Sequence, residues 1–130
     1  MTEFQDVLRT RMHQFVAQIF RLSTTPSNVE IPELKSTLRT SSLNMILQYI
    51  DAVSLQRESI KKENLEKSFG LLKEAKYLLY LLFTQQEIPQ HEYATLQRLS
   101  EEIGKLLCAE MESVGVPVSK NRNIYLTIVI

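Results

Sequence analysis

Apolar positions recur at three- and four-residue steps through four stretches of this chain, and polar or proline-containing links separate them. In the first stretch Phe4, Leu8, Met12, Phe15, Val16, Ile19 and Phe20 fall on one stripe. That period is the signature of an amphipathic helix, here running to about Leu22. Thr2 and Gln5 stand in the spacing of a reciprocal capping box at its start. Ser23 to Asn28, with Pro26, supply the turn residues that end it. A second helix follows Ile31-Pro32-Glu33, with Leu34, Leu38, Met45, Ile46, Tyr49, Ile50 and Val53 on its apolar face. Thr40-Ser41-Ser42 is a low-propensity stretch within it.

Ser59 is the N-cap expected for a third helix, whose stripe is Leu65, Phe69, Leu72, Ala75, Leu79, Leu82 and Phe83. Pro89 opens a fourth, carried by Tyr93, Leu96, Leu99, Ile103, Leu106, Leu107 and Met111. Gly115 sits where a left-handed helix end is expected, and Pro117 prevents continuation. Four helices of similar length joined by short links predict an all-α fold, an antiparallel up-down-up-down four-helix bundle over residues 1–117. Residues 118–130 form a separate C-terminal arm. Its end, Ile124-Tyr125-Leu126-Thr127-Ile128-Val129-Ile130, is β-branched and uncharged, which reads as a short extended strand.

Two places break the amphipathic pattern. From Tyr77 to Phe83 every residue is apolar or aromatic, so the third helix is apolar all round at that end. Either that end is central to the monomer core, or Tyr77, Tyr80 and Leu81 form a surface for a partner; self-association is the favoured form of the second reading. The arm is the other break. An uncovered apolar strand is an aggregation hazard, so Ile124, Leu126 and Ile128 are expected to be covered by their own bundle or by a neighbouring subunit.

Composition narrows the classes of function. The chain has 130 residues, 15 Lys+Arg and 15 Asp+Glu, for a formal charge of zero. This disfavours a protein that grips nucleic acid by bulk charge. Three Gly and four Pro argue against an all-β fold. The N-terminal residues lack a secretory pattern, no apolar run approaches a membrane span, and one cysteine excludes an intrachain disulfide. A cytoplasmic location is expected, with no membrane partner. Locally, Arg57, Lys61, Lys62, Lys67, Lys73 and Lys76 gather in a twenty-residue window, interleaved with Glu58, Glu63, Glu66 and Glu74, and Lys120 and Arg122 follow in the arm. A solvated, ion-paired face and a phosphate-contacting edge are both compatible with that window.

Catalytic chemistry finds little to stand on. His13 and His91 lack partners at ligand spacing, and no nucleophile elbow, phosphate-binding loop or dinucleotide fingerprint occurs. Cys108 reads as a small buried hydrophobe, and Gly104 as a place where helices approach closely. No enzymatic function, metal or cofactor is expected.

Ser42-Leu43-Asn44-Met45-Ile46-Leu47-Gln48-Tyr49-Ile50-Asp51-Ala52, the Leu65–Leu79 stripe and Leu99-Ser100-Glu101-Glu102-Ile103-Gly104-Lys105-Leu106-Leu107 together resemble a known family. They are similar to the bacterial four-helix-bundle proteins encoded in intervening sequences of large-subunit ribosomal RNA genes. The accessory variability proteins of diversity-generating retroelements are a related branch. The resemblance spans roughly residues 15–112. It implies a homopentameric barrel of bundles and, in the retroelement branch, binding to a reverse transcriptase and to RNA or DNA through a basic surface. The proline and the Ala-Glu-Gly of the family's second-helix motif are absent here, and the net charge is zero rather than basic. The reading is a pentameric accessory scaffold for a partner protein, with direct nucleic-acid binding as the alternative.

Overall fold

In a computed structural model, residues 1–22, 31–54 and 57–116 are described, residues 31 and 32 by backbone alone. Their regular structure is four α-helices: α1 (Glu3–Phe20), α2 (Ile31–Ser54), α3 (Glu58–Thr84) and α4 (Gln90–Ser113). Each helix packs against its chain neighbours, and α1 closes the ring by packing against α4. Cross-helix contacts set the directions. Gln5 meets Glu110 while Arg11 meets Glu102, and Lys76 faces Glu101 while Phe83 stacks on Tyr93, so α4 runs antiparallel to both α1 and α3. Helix α2 returns along α1, from Arg39 beside Phe20 to Tyr49 near the Gln5 end. This is the up-down-up-down four-helix bundle that the periodicity predicts. The arm, with Lys120, Arg122, Ile124, Leu126 and Ile128, lies outside the described residues, as does the turn at 23–28.

Most of the stripe positions read from the sequence form the core; Phe4 and Phe20, at the two ends of the α1 stripe, do not, and are 39% and 46% exposed. Leu8, Met12, Phe15 and Ile19 of α1 meet Leu38, Met45 and Tyr49 of α2, Leu65, Leu72 and Leu79 of α3, and Leu96, Ile103 and Leu107 of α4. Burying each such side chain contributes roughly 1.5–3 kcal/mol. Helix α2 continues unbroken through Thr40-Ser41-Ser42, because tertiary packing overrides weak propensity. Ser41 and Ser42 are buried, and the Ser42 hydroxyl donates to the Arg39 carbonyl at 3.1 Å. Buried Ser68 of α3 donates to the Met45 carbonyl of α2 at 2.8 Å, a side-chain-to-backbone tie across the helix pair.

The helix ends show where local signals held and where they shifted. Thr2 and Gln5 form the capping box, each bond 3.1 Å long. The α3 N-cap is Arg57 rather than Ser59, with no side-chain bond; Glu58 instead places negative charge at the positive end of the helix dipole. Pro89 is the N-cap of α4, its carbonyl accepting the first intrahelical bond from Tyr93. At the other end Gly115 has φ 88°, Val116 N–H bonds Met111 O, and Gly115 N–H bonds Glu112 O. That pair of bonds is a Schellman motif. The same motif ends α3, where Gln86 takes φ 60°, a left-handed conformation that disfavours a side chain.

Candidate functional site

The candidate basic edge does not assemble as one surface. At 3.6 residues per turn Lys62 and Lys73, eleven positions apart, share a face of α3, whereas Lys67 lies about 140° round from Lys62. Lys62 approaches Glu58 at 4.0 Å and Lys67 approaches Glu63 at 3.4 Å, so two of the charges are paired along their own helix. Lys73 sits over the Phe69 ring, 5.3 Å from its centroid. Lys61 turns toward the end of the bundle, where it lines a cavity of about 310 Å³ with Thr2, Gln5 and Glu110. Arg57 is exposed. Lys76 is withdrawn from the surface altogether, with 6% of its area exposed. Burial, opposed in part by the Glu101 carboxylate, lowers its ammonium to about 7.

The candidate oligomer surface is divided in a similar way. Tyr77 is 54% exposed on the outer face of α3. Leu81, one turn on, is half-buried, and Tyr80 is half-buried on the side facing α4, near Tyr93. Phe83 stacks flat on Tyr93, their centroids 4.2 Å apart. Burial chiefly, with Tyr80 and Glu101 adding, raises the Tyr93 phenol above its usual range. The bundle therefore uses most of the Tyr77–Phe83 run internally and leaves Tyr77 outside. A second apolar surface lies on α2, where Leu43 and Leu47 are 41% and 47% exposed and sit one turn apart.

Two polar features escape the stripe reading. Glu110, only 5% exposed, accepts from the Tyr49 hydroxyl at 2.5 Å and from the Gln5 amide at 3.0 Å. Since Gln5 also closes the α1 capping box, a single relay joins the starts of α1, the end of α2 and the end of α4. Burial first, then the bond to and the charge of Glu110, pushes the Tyr49 phenol far above its ordinary range. The signal was available: Glu110 follows Ile103 by seven and Leu107 by three, and Lys76 falls between Leu72 and Leu79, so each interrupts an apolar stripe. The other feature is an open cleft of about 500 Å³ between α1 and α4, lined by residues including His13, Arg21, Arg98 and Glu102. Nothing in the local sequence of either helix announces it, because it exists only where the two shoulders meet.

Among the described residues no group of three or more His, Cys, Asp or Glu is placed to hold a metal ion. Cys108 is buried in α4. No described helix is long and apolar enough to cross a membrane. Compared with protein-family models, curated proteins and solved structures, the chain matches none of them.

Proposed function

We propose that this chain is a non-enzymatic, self-associating helical scaffold that acts in the cytoplasm by holding a partner protein. The observation that carries the reading is apolar surface outside a core that is already filled: Tyr77 beside Leu81 on α3, and Leu43 with Leu47 on α2. Exposed apolar patches of this kind mark association surfaces. Rings larger than a dimer need two different patches that dock head to tail, and these two lie on different helices. The sequence resemblance supplies the number and the partner: a pentamer, serving a retroelement reverse transcriptase as its accessory subunit.

Sedimentation of the chain and of Tyr77→Glu and Leu47→Glu variants tests the assembly. Dissociation of the wild-type complex by either charge supports the reading, and identical sedimentation of all three removes its basis. The partner is tested by co-purifying the chain with a reverse transcriptase encoded beside it; separation of the two at physiological salt rejects that partner.

Direct nucleic-acid binding is the second reading, and it rests on Lys62 and Lys73 sharing a face of α3 with Arg57 exposed at that helix's start. Oligomerisation would multiply so small an edge through effective concentration. A salt titration of RNA or DNA binding decides it: a steep log–log slope supports phosphate contacts, and no binding near physiological salt excludes them.

A further inference from the structure

The cleft between α1 and α4 is open, lined mostly by polar side chains, and carries an excess of positive charge. Among its described lining residues Glu102 is the one carboxylate, and Arg11 Nε, from α1, already donates to it at 2.7 Å. Arg21, just past the end of α1, and Arg98 of α4 also line the cleft, and they bring two positive charges that Glu102 does not balance. Arg98 Nη2 lies 3.5 Å from the Thr95 hydroxyl, and the Arg21 and Arg98 side chains are both exposed to an incoming ligand. The carboxamides of Gln14 and Gln18 add neutral donors and acceptors, while half-buried Ala17 and Leu99 supply apolar surface between the polar groups. At about 500 Å³ the volume falls within the range of ligand pockets. A guanidinium fork matches the oxygens of a phosphate in two parallel hydrogen bonds, which a single ammonium cannot do.

We propose that this cleft binds a small phosphate ester carrying a flat apolar group, the phosphate held by Arg21 and Arg98 and the flat group lying against Ala17 and Leu99. The site is separate from the apolar surfaces on α2 and α3, so it stands or falls apart from the assembly. Titration calorimetry on the full chain, in whatever assembly it forms, tests this with adenosine 5′-monophosphate, adenosine, inorganic phosphate and a short single-stranded oligonucleotide as probes. The monophosphate is expected to saturate at one per chain, with adenosine and phosphate each at least about tenfold weaker. The Arg21→Ala/Arg98→Ala double variant is expected to lose at least about tenfold in affinity, and Arg98→Lys, which keeps the charge but not the fork, to lose part of it. Lys67→Ala, on α3, is expected to leave binding unchanged, and a wild-type thermal transition in each variant shows that it folds.

Failure of the monophosphate to saturate, or equal binding by the double variant, overturns the proposal. Binding of phosphate as tight as that of the monophosphate removes the role of Ala17 and Leu99 and overturns it too. Binding by the oligonucleotide alone assigns the two arginines to a nucleic-acid backbone instead, and likewise overturns the small-ligand site.

Discussion

Three buried polar side chains set how this bundle responds to substitution and to pH. Tyr49 donates to a carboxylate that is itself inside, so its loss leaves Glu110 short of a donor that water cannot easily replace. Tyr49→Phe is expected to destabilise the fold by about 1.5–3 kcal/mol, read as a lower urea midpoint. The folded Tyr49 phenol holds its proton more tightly than the unfolded one, whose value is 10.0. Its contribution is therefore complete below pH 10 and is lost as pH rises above that value. Lys76 acts with the opposite slope. Its folded value of about 7 lies below the unfolded 10.5, so the unfolded chain binds more protons throughout that window. Stability is expected to rise from pH 7 to 10.5, by at most about 1.4 kcal/mol per pH unit from this group. Lys76→Met is expected to raise the midpoint at and below pH 7 and to flatten the rise, with both proteins compared at one concentration across that range.

At the scale of the helix, the two C-terminal motifs of α3 and α4 form a natural pair of tests. Both place one residue in the left-handed region, Gly115 in α4 and Gln86 after α3. A Cβ at Gly115 would meet Lys62 Nζ at 3.6 Å, an ordinary contact, so Gly115→Ala is limited by conformation rather than space. It is expected to cost about 1 kcal/mol, while Gln86→Gly is expected to gain a similar amount, both read from thermal unfolding. The helices themselves were legible because their stripes repeat over about three turns or more: Leu8, Met12, Phe15 and Ile19 are apolar in the sequence and buried in the fold. Caps were less so. Ser59 is a good capping residue by type, yet the chain turns two residues earlier, at Arg57, and a one-dimensional pattern does not fix that register. The basic window shows a related limit. Closeness in sequence puts Lys62, Lys67 and Lys76 within four turns, but Lys67 lies about 140° round the axis from Lys62, and Lys76, though only about 40° from Lys62, ends inside. The cleft between α1 and α4 joins residues some eighty positions apart, beyond the reach of any local pattern.

For the whole molecule, the core accounts for the fold and leaves apolar surface unused. Leu43, Leu47 and Tyr77 could be polar without disturbing the buried set, since none belongs to it. Their retention outside is the physical ground for the proposed self-association, and the net charge of zero removes the long-range repulsion that would oppose it. Charged replacements there are accordingly expected to change association far more than monomer stability, surface changes generally shifting stability by less than about 0.5 kcal/mol. The measurement that tests self-association most directly is mass by light scattering over a range of concentrations. A pentamer gives a particle about five times the 15.1 kDa chain, and that mass is expected. A 15.1 kDa particle at every concentration would contradict it.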